Sequence, residues 1–364
     1  MKISMNGAEW FSTRAGGLNR YFECLAKSLG EVANVQVNAV AFGDAATWGR
    51  SWGPLDQSTA SRFLASRQDV GVSTDIVDTH FALYSARPRK KSGTIYVRHF
   101  QGPWASESEA TGASSFAVTC KRVFERFVYA QDDHFIVLCD RFAKILSDDY
   151  SVDSSAISVI PPGVDLSQFS QVEADRKGNL PWAICVRRLE RRMGIDVLIR
   201  SWALVVSEIP QARLEIVGTG SMELELKALV VSLGLGASIT LSGRLSDSEL
   251  SRAYERATIS VVPSLALEGF GLIALESLAT GAPAIVTDCG GLPDSVNGLD
   301  STLVVRPNDP GALGARIVSA FRGKRPSPDE CRRHAETFSW ERAALAHASL
   351  YGQLIAKRAA DAIS

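Results

Sequence analysis

The chain has 364 residues, of which 46% are hydrophobic and 22% charged, with a formal net charge of −1. That length exceeds what one hydrophobic core usually holds, so two domains are expected, and the composition is that of an ordinary globular protein. The near-zero charge argues against wholesale nucleic-acid binding, which needs a broad basic face.

Other classes are excluded in the same way. No apolar run approaches the roughly 18 residues that cross a bilayer. The opening Met1-Lys-Ile-Ser-Met5 runs straight into Asn6-Gly7, with no signal-peptide pattern. Cysteines 24, 120, 139, 185, 289 and 331 are scattered without a C-x-x-C pair. Such thiols suggest small buried apolar side chains in a reducing compartment, not a disulfide framework or zinc site. The expectation is a cytoplasmic protein, at most peripheral to the inner face of a membrane.

In chain order, a short strand over 2–5 meets a loop and then a helix whose Leu18, Phe22, Leu25 and Leu29 fall on one stripe. Strands follow over 35–42, 76–79, 95–99, 134–138 and 157–160, while 48–73 shows no periodicity and stays unassigned. The charged segment 172–179 is the linker candidate. Beyond it, strands over 182–186, 214–218, 239–243, 259–263 and 284–288 alternate with helices over 194–208, 223–233, 247–257 and 271–279. Ser246 and Glu249 have the spacing of a capping box. A long helix from Trp340, capped by Ser339, reaches about residue 360. Near-continuous apolar strands joined by helical crossovers mean parallel sheets covered on both faces.

The most informative stretch is Glu268-Gly-Phe-Gly-Leu-Ile-Ala-Leu-Glu276, where a strand ends and a helix begins. That is the usual ligand crevice of an open α/β sheet. Gly269 and Gly271 let backbone approach a ligand, and amides at the helix start favour an anion such as a diphosphate. Glu276, one to two turns into the helix, is placed to accept from a vicinal diol such as ribose. A ligand-free turn followed by a solvated glutamate satisfies the same pattern in isolation. A second candidate is Arg187-Arg188-Leu-Glu-Arg191-Arg192-Met193-Gly194, which also follows a strand and opens a helix.

Together these features resemble the family-4 glycosyltransferases of the GT-B fold. The resemblance rests on Val262-Pro-Ser-x-x-x-Glu-Gly-Phe-Gly-Leu-x-x-x-Glu276 with Ser277-Leu-Ala-x-Gly281-x-Pro283, and on Gly16-Gly17. It rests also on Ile160-Pro-Pro-Gly-Val-Asp165 and Ile216-Val-Gly-Thr-Gly220. It implies an α/β fold of two doubly wound Rossmann-like domains whose parallel sheets face across a cleft. Residues 1–170 would form the acceptor side and 171–340 the nucleotide-sugar side, with 341–364 a helix packing back on the first domain. It further implies transfer of a sugar from a nucleoside diphosphate donor to a hydroxyl acceptor, with retention at the anomeric carbon. No cofactor and no metal are expected, in keeping with the lack of an Asp-x-Asp motif.

By this resemblance Glu268 lies beside the donor sugar, the amides of Gly269, Phe270, Gly271 and Leu272 bind sugar and diphosphate, and Glu276 grips the ribose. Arg188 aligns with the family's arginine and would stabilise the departing diphosphate. The family's following lysine is Met193 here, and Arg192 is the candidate substitute. Arg187 and Arg191 read as solvated basic surface. Gly16 and Gly17 approach the donor phosphate or the acceptor, or make a plain turn. His99 matches the family's amino-domain histidine facing the donor sugar, or is an ordinary strand-end residue. His80 would line the same cleft, and His134 reads as structural. Gly243 and Arg244 would offer backbone groups to the base. The basic, amphipathic 121–128, with Arg89-Lys-Lys91 upstream, suits either membrane contact or packing on the sheet. The rival readings are a nucleotide-sugar epimerase or sugar phosphorylase of the same architecture, and a non-catalytic sugar-binding protein.

Overall fold

The computed structural model describes residues 1–14, 16–67, 74–85, 92–110, 112–171 and 180–362. The linker candidate 172–179, and Arg89-Lys-Lys91, lie outside the described residues. The chain divides into two units, Met1–Gly163 with Trp340–Ser364, and Val164–Ser339.

The first unit holds β1 (Lys2–Glu9), β2 (Gln36–Phe42), β3 (Arg50–Ser51), β4 (Ile76–Thr79), β5 (Ile95–Phe100), β6 (His134–Val137) and β7 (Ile157–Val159). They form one parallel sheet in the order β3-β2-β1-β4-β5-β6-β7. The second unit holds β8 (Trp182–Val186), β9 (Arg213–Val217), β10 (Ile239–Gly243), β11 (Ile259–Val262), β12 (Ala284–Thr287) and β13 (Val304–Val305). These too are parallel, in the order β10-β9-β8-β11-β12-β13. Every residue of β5, β6, β11 and β12 is buried, as expected of strands covered by helices on both faces.

The unassigned stretch 48–73 contains the two-residue β3 and helix Thr59–Ala65. The helix starts at Ser58, whose hydroxyl accepts from the Ser61 amide at 3.2 Å, but it buries no residue, so no apolar stripe announces it. The terminal helix Trp340–Asp361 buries Trp340, Ala343, Ala344, His347 and Tyr351, an i, i+3, i+4, i+7, i+11 stripe, against helix Gly17–Gly30. The Ser246–Glu249 capping box is formed in both directions.

In both sheets the strand order reverses beside the first strand, between β1 and β4 in one unit and between β8 and β11 in the other. Ligands of doubly wound sheets bind outside the carboxyl ends of the strands at such a reversal. In the second unit those ends lead directly to Arg187 and to Pro263-Ser264.

Candidate active site

Arg187 follows β8 and carries its guanidinium onto the end of β11. Its Nη2 donates to Ser264 Oγ and to Glu268 Oε1. Ser264 Oγ lies 3.3 Å from the same carboxylate oxygen, and Arg192 Nη1 lies 3.6 Å from it. Arg192 Nη1 also donates to the Leu267 carbonyl at 3.1 Å, and the Leu265 amide donates to the Arg192 carbonyl at 2.8 Å. The segment after β8 and the segment after β11 are thus laced together. Thr287 at the end of β12 holds the Ser264 carbonyl at 2.6 Å.

Within this turn Leu267 takes a left-handed φ of 59°, unusual for a residue with a β-carbon, and Gly271 takes 91° as it caps helix Leu272–Ala279. Strained backbone of this kind persists where neighbouring contacts over-determine it. Here Gly291 supports the turn from behind, donating its amide to the Glu268 carbonyl at 2.9 Å. Glu276 is buried on the fifth residue of the helix, with Tyr254 Oη 3.3 Å from its Oε2 and from the Ile273 carbonyl. The Phe270 side chain is buried, its ring 5.5 Å from Phe338, so only its backbone is available to a ligand. Gly269 and Leu272 are half-buried.

The arginines are distributed differently from the sequence expectation. Arg188, matched to the family's arginine, keeps 67% of its side chain exposed and lies 3.7 Å from Glu190. Arg191 is also exposed, 3.5 Å from Glu225, as a solvated basic residue should be. Arg187, read as solvated surface, is instead 9% exposed and bound to Glu268. The reason is local: a buried cation is tolerated only when paired, and its partner lies 81 positions away in sequence. Met193 is buried, so the cations nearest Glu268 are Arg187 and Arg192. Gly243 ends β10 with its carbonyl accepting from the Gly218 amide at 2.7 Å, and Arg244 beyond it is exposed.

In the first unit, Gly16 is extended and Gly17 opens helix Gly17–Gly30. A β-carbon at either would meet nothing within 4 Å, so the packing present does not itself require glycine there. His99, expected to face a sugar, is a core residue. Its Nε2 lies 3.2 Å from Asp78 Oδ1, while His80 Nε2 lies 3.5 Å from Asp78 Oδ2 and Tyr351 donates to that oxygen at 2.8 Å. The His80 and His99 rings stack at 4.0 Å, and the His347 ring stacks on His99 at 5.2 Å. Burial would raise the Asp78 carboxyl, but the facing His99 and His80 imidazoles outweigh it and hold it well below the usual range. Burial, reinforced by His99, pushes His80 down to about 4 and His347 down to about 3.

Asp78, His80 and His99 bring metal-ligand atom types within 4.8 Å of one another. The ring planes, however, are only 11° from parallel. An imidazole nitrogen donates in its own plane, so an ion shared between two stacked rings would sit far out of both. The stacking therefore does not suit a cation shared between the two rings. The cluster is a buried set of facing charges and imidazoles in which, among the described residues, Asp78 Oδ1, His80 Nε2 and both His99 nitrogens lack a hydrogen-bond partner. His134, read as structural, is buried with Nε2 2.9 Å from Ser158 Oγ. Four of the six cysteines are buried as expected, but Cys120 is exposed and Cys24 half-buried.

Two doubly wound parallel sheets, one with a Gly-capped helix start and the pair Arg187 and Arg192 on Glu268 at its reversal point, define the class as an α/β protein of the GT-B fold. The chain belongs to the group 1, family-4 glycosyltransferases: the model for "Glycosyltransferase Family 4" matches residues 15–168 and that for "Glycosyl transferases group 1" matches 168–338. Among curated relatives, a D-inositol 3-phosphate glycosyltransferase of Corynebacterium jeikeium is 30% identical, covering 93% of this chain and 92% of its own length. One of the same name from Thermobifida fusca is 28% identical over 90% of this chain and 86% of its own. Among solved structures, a sucrose-phosphate synthase from Thermosynechococcus elongatus has a TM-score of 0.79 at 24% identity, covering 98% of this chain and all of its own. Anabaena HepE in complex with UDP-glucose has a TM-score of 0.72 at 16% identity, covering 99% and 100%.

Proposed function

We propose that the chain is a retaining glycosyltransferase that moves a sugar from a nucleoside diphosphate sugar to a hydroxyl acceptor, with no metal ion. The observation that carries this reading is the turn from β11 into helix Leu272–Ala279, which sets Glu268, a Gly-capped helix start and the buried Glu276 within nine residues. The first amides of a helix have no partner within it and favour a diphosphate. Arg188, exposed at the end of β8, supplies a cation for the charge that grows on the leaving group. Glu276, oriented by Tyr254, accepts from the ribose hydroxyls, and Glu268 accepts from the sugar.

In the reaction the bond from the anomeric carbon to the diphosphate oxygen breaks, and the acceptor oxygen bonds to the same face. The acceptor proton passes to the leaving diphosphate, and the configuration is retained. The neighbour solved with UDP-glucose supports a nucleotide-sugar donor. The name of the curated relatives makes a phosphorylated polyol the first acceptor to try.

A thermal-shift screen across nucleoside diphosphates and their sugars tests the donor, since a ligand that binds only the folded chain raises its melting temperature. Stabilisation by free sugar but by no nucleotide would sink the reading. Proton NMR of the product then reads the anomeric configuration, and an inverted product removes the retaining mechanism. Donor turnover to an epimer without acceptor, or cleavage that requires phosphate, would favour the rival enzymes.

A separate observation supports peripheral membrane contact. Among the described residues no helix is long and apolar enough to cross a membrane. Helix Ser115–Tyr129 nevertheless presents Phe116, Val123 and Phe127 to solvent at 80%, 63% and 61% exposure, on one stripe flanked by the exposed Arg122 and Arg126. An apolar stripe with exposed cations along one edge suits the interface of an anionic bilayer.

A further inference from the structure

We propose that Arg187 is the positioning residue of Glu268 for the donor sugar, an inference that rests on the donor site described above. Three contacts converge on one carboxylate oxygen: Arg187 Nη2, Ser264 Oγ at 3.3 Å and Arg192 Nη1 at 3.6 Å all face Oε1. Among the described residues, the side-chain contacts of Glu268 fall on Oε1 alone. Oε2 is the oxygen left to accept from a sugar hydroxyl.

The clamp is rigid. Arg187 springs from the end of a buried strand, Ser264 is fully buried and tied through its carbonyl to Thr287, and the Glu268 carbonyl is held by the Gly291 amide. Two hydrogen bonds and one ion-pair contact on a single oxygen restrict the rotamer of the carboxylate, which restricts the direction of the Oε2 lone pairs. A charged acceptor held in this way contributes more to binding than one that must be ordered on arrival. Met193, where the family's lysine is expected, is buried and uncharged. Arg187 is not a duplicate of Arg188. It points at the sugar-facing carboxylate, whereas Arg188 is exposed.

The test separates sugar from diphosphate. Calorimetric titration with UDP and with UDP-glucose, alongside the ADP and GDP counterparts, is run on the whole chain and on Arg187→Ala, Arg187→Lys and Arg188→Ala. For the base the chain accepts, Arg187→Ala is expected to weaken the nucleotide-sugar about tenfold while changing the bare diphosphate less than about twofold. Arg187→Lys restores part of that loss, and Arg188→Ala weakens both ligands together. The double variant Arg187→Ala/Glu268→Ala is expected to bind the nucleotide-sugar no worse than Glu268→Ala alone, because both remove one interaction. Retained diphosphate binding shows that the variant is folded. Equal loss of both ligands in Arg187→Ala, or additive losses in the double variant, would overturn this inference alone. A wild-type chain that takes none of the nucleotides overturns the donor reading and this inference with it.

Discussion

Gly290 sits directly behind Glu268: a β-carbon added at Gly290 would lie 2.0 Å from the Glu268 carbonyl oxygen, and its φ of 54° is left-handed. The obstacle is backbone, which cannot swing aside as a side chain can. Any residue other than glycine must shift the backbone at Glu268, the residue that Arg187 holds.

Gly290→Ala is accordingly expected to destabilise the protein by about 2 kcal/mol and to lower turnover by more than that loss of stability explains. Gly234→Ala is the control, with a similar φ of 66° but open space around the added carbon. It carries only the left-handed backbone penalty of about 1 kcal/mol and leaves turnover intact. Denaturant unfolding and initial rates for the two variants check this. Equal losses of activity would show that the contact behind Glu268 is irrelevant to the site.

Glu276→Ala is expected to weaken nucleoside diphosphate binding by about 1–3 kcal/mol, the range for losing hydrogen bonds to a charged group. Tyr254 Oη lies 3.3 Å from the carboxylate, and in the proposed site it orients Glu276. Tyr254→Phe should therefore lose less, about 0.5–1 kcal/mol. Calorimetry with the bare diphosphate reads both, and unchanged affinity in Glu276→Ala would remove that residue from the site.

How much of this was legible in the sequence depended on the range of the interaction. Strands such as β11 and β12, buried on both faces, announce themselves by continuous apolar residues, and the motif ending in Glu276 lies within one strand-to-helix turn. The two-residue strands β3 and β13 are too short to show any period. Helices Pro310–Phe321 and Pro328–Glu336 carry their signal at the ends and not in the apolar pattern: a proline in the first turn of each, Asp309 capping the Ala312 amide, and a Ser327–Glu330 capping box. Arg187 and His99 could not be placed locally at all. Which of two adjacent arginines turns inward depends on Glu268, and His99 is enclosed by Tyr21 and His347 from helices at opposite ends of the chain.

The His80–His99–Asp78 cluster predicts acid sensitivity of the first unit. His80 and His347, held down to about 4 and about 3 chiefly by burial, are neutral in the fold, whereas an unfolded imidazole titrates near 6.5. Between those values the unfolded chain binds more protons, so stability is fully present above about pH 6.5 and falls as the pH drops towards the folded values. Asp78, held low, adds a further loss only below the ordinary carboxylate range. On going from pH 7.5 to pH 5 each imidazole should cost on the order of 2 kcal/mol. Urea unfolding at the two pH values measures the fall, and His347→Gln should reduce it. A pH-independent midpoint would show that these rings take up protons as readily in the fold as in the unfolded chain.

The exposed stripe on helix Ser115–Tyr129 yields the last prediction. Phe116 and Phe127 lie eleven positions apart on one face, and replacing both with serine removes apolar area from that face without touching the buried Val118, Glu125, Val128 and Tyr129 that seat the helix. The double variant should therefore unfold at the wild-type temperature. Against vesicles containing anionic phospholipid, the wild-type chain is expected to float and the double variant to bind roughly tenfold more weakly. Reversing charge at Arg122 and Arg126 should weaken binding further, and more so at low salt, because exposed charges are then less screened. Neutral vesicles should recover little of either protein. Equal flotation of wild type and variant, or none with anionic vesicles, would leave the stripe with no role at a membrane.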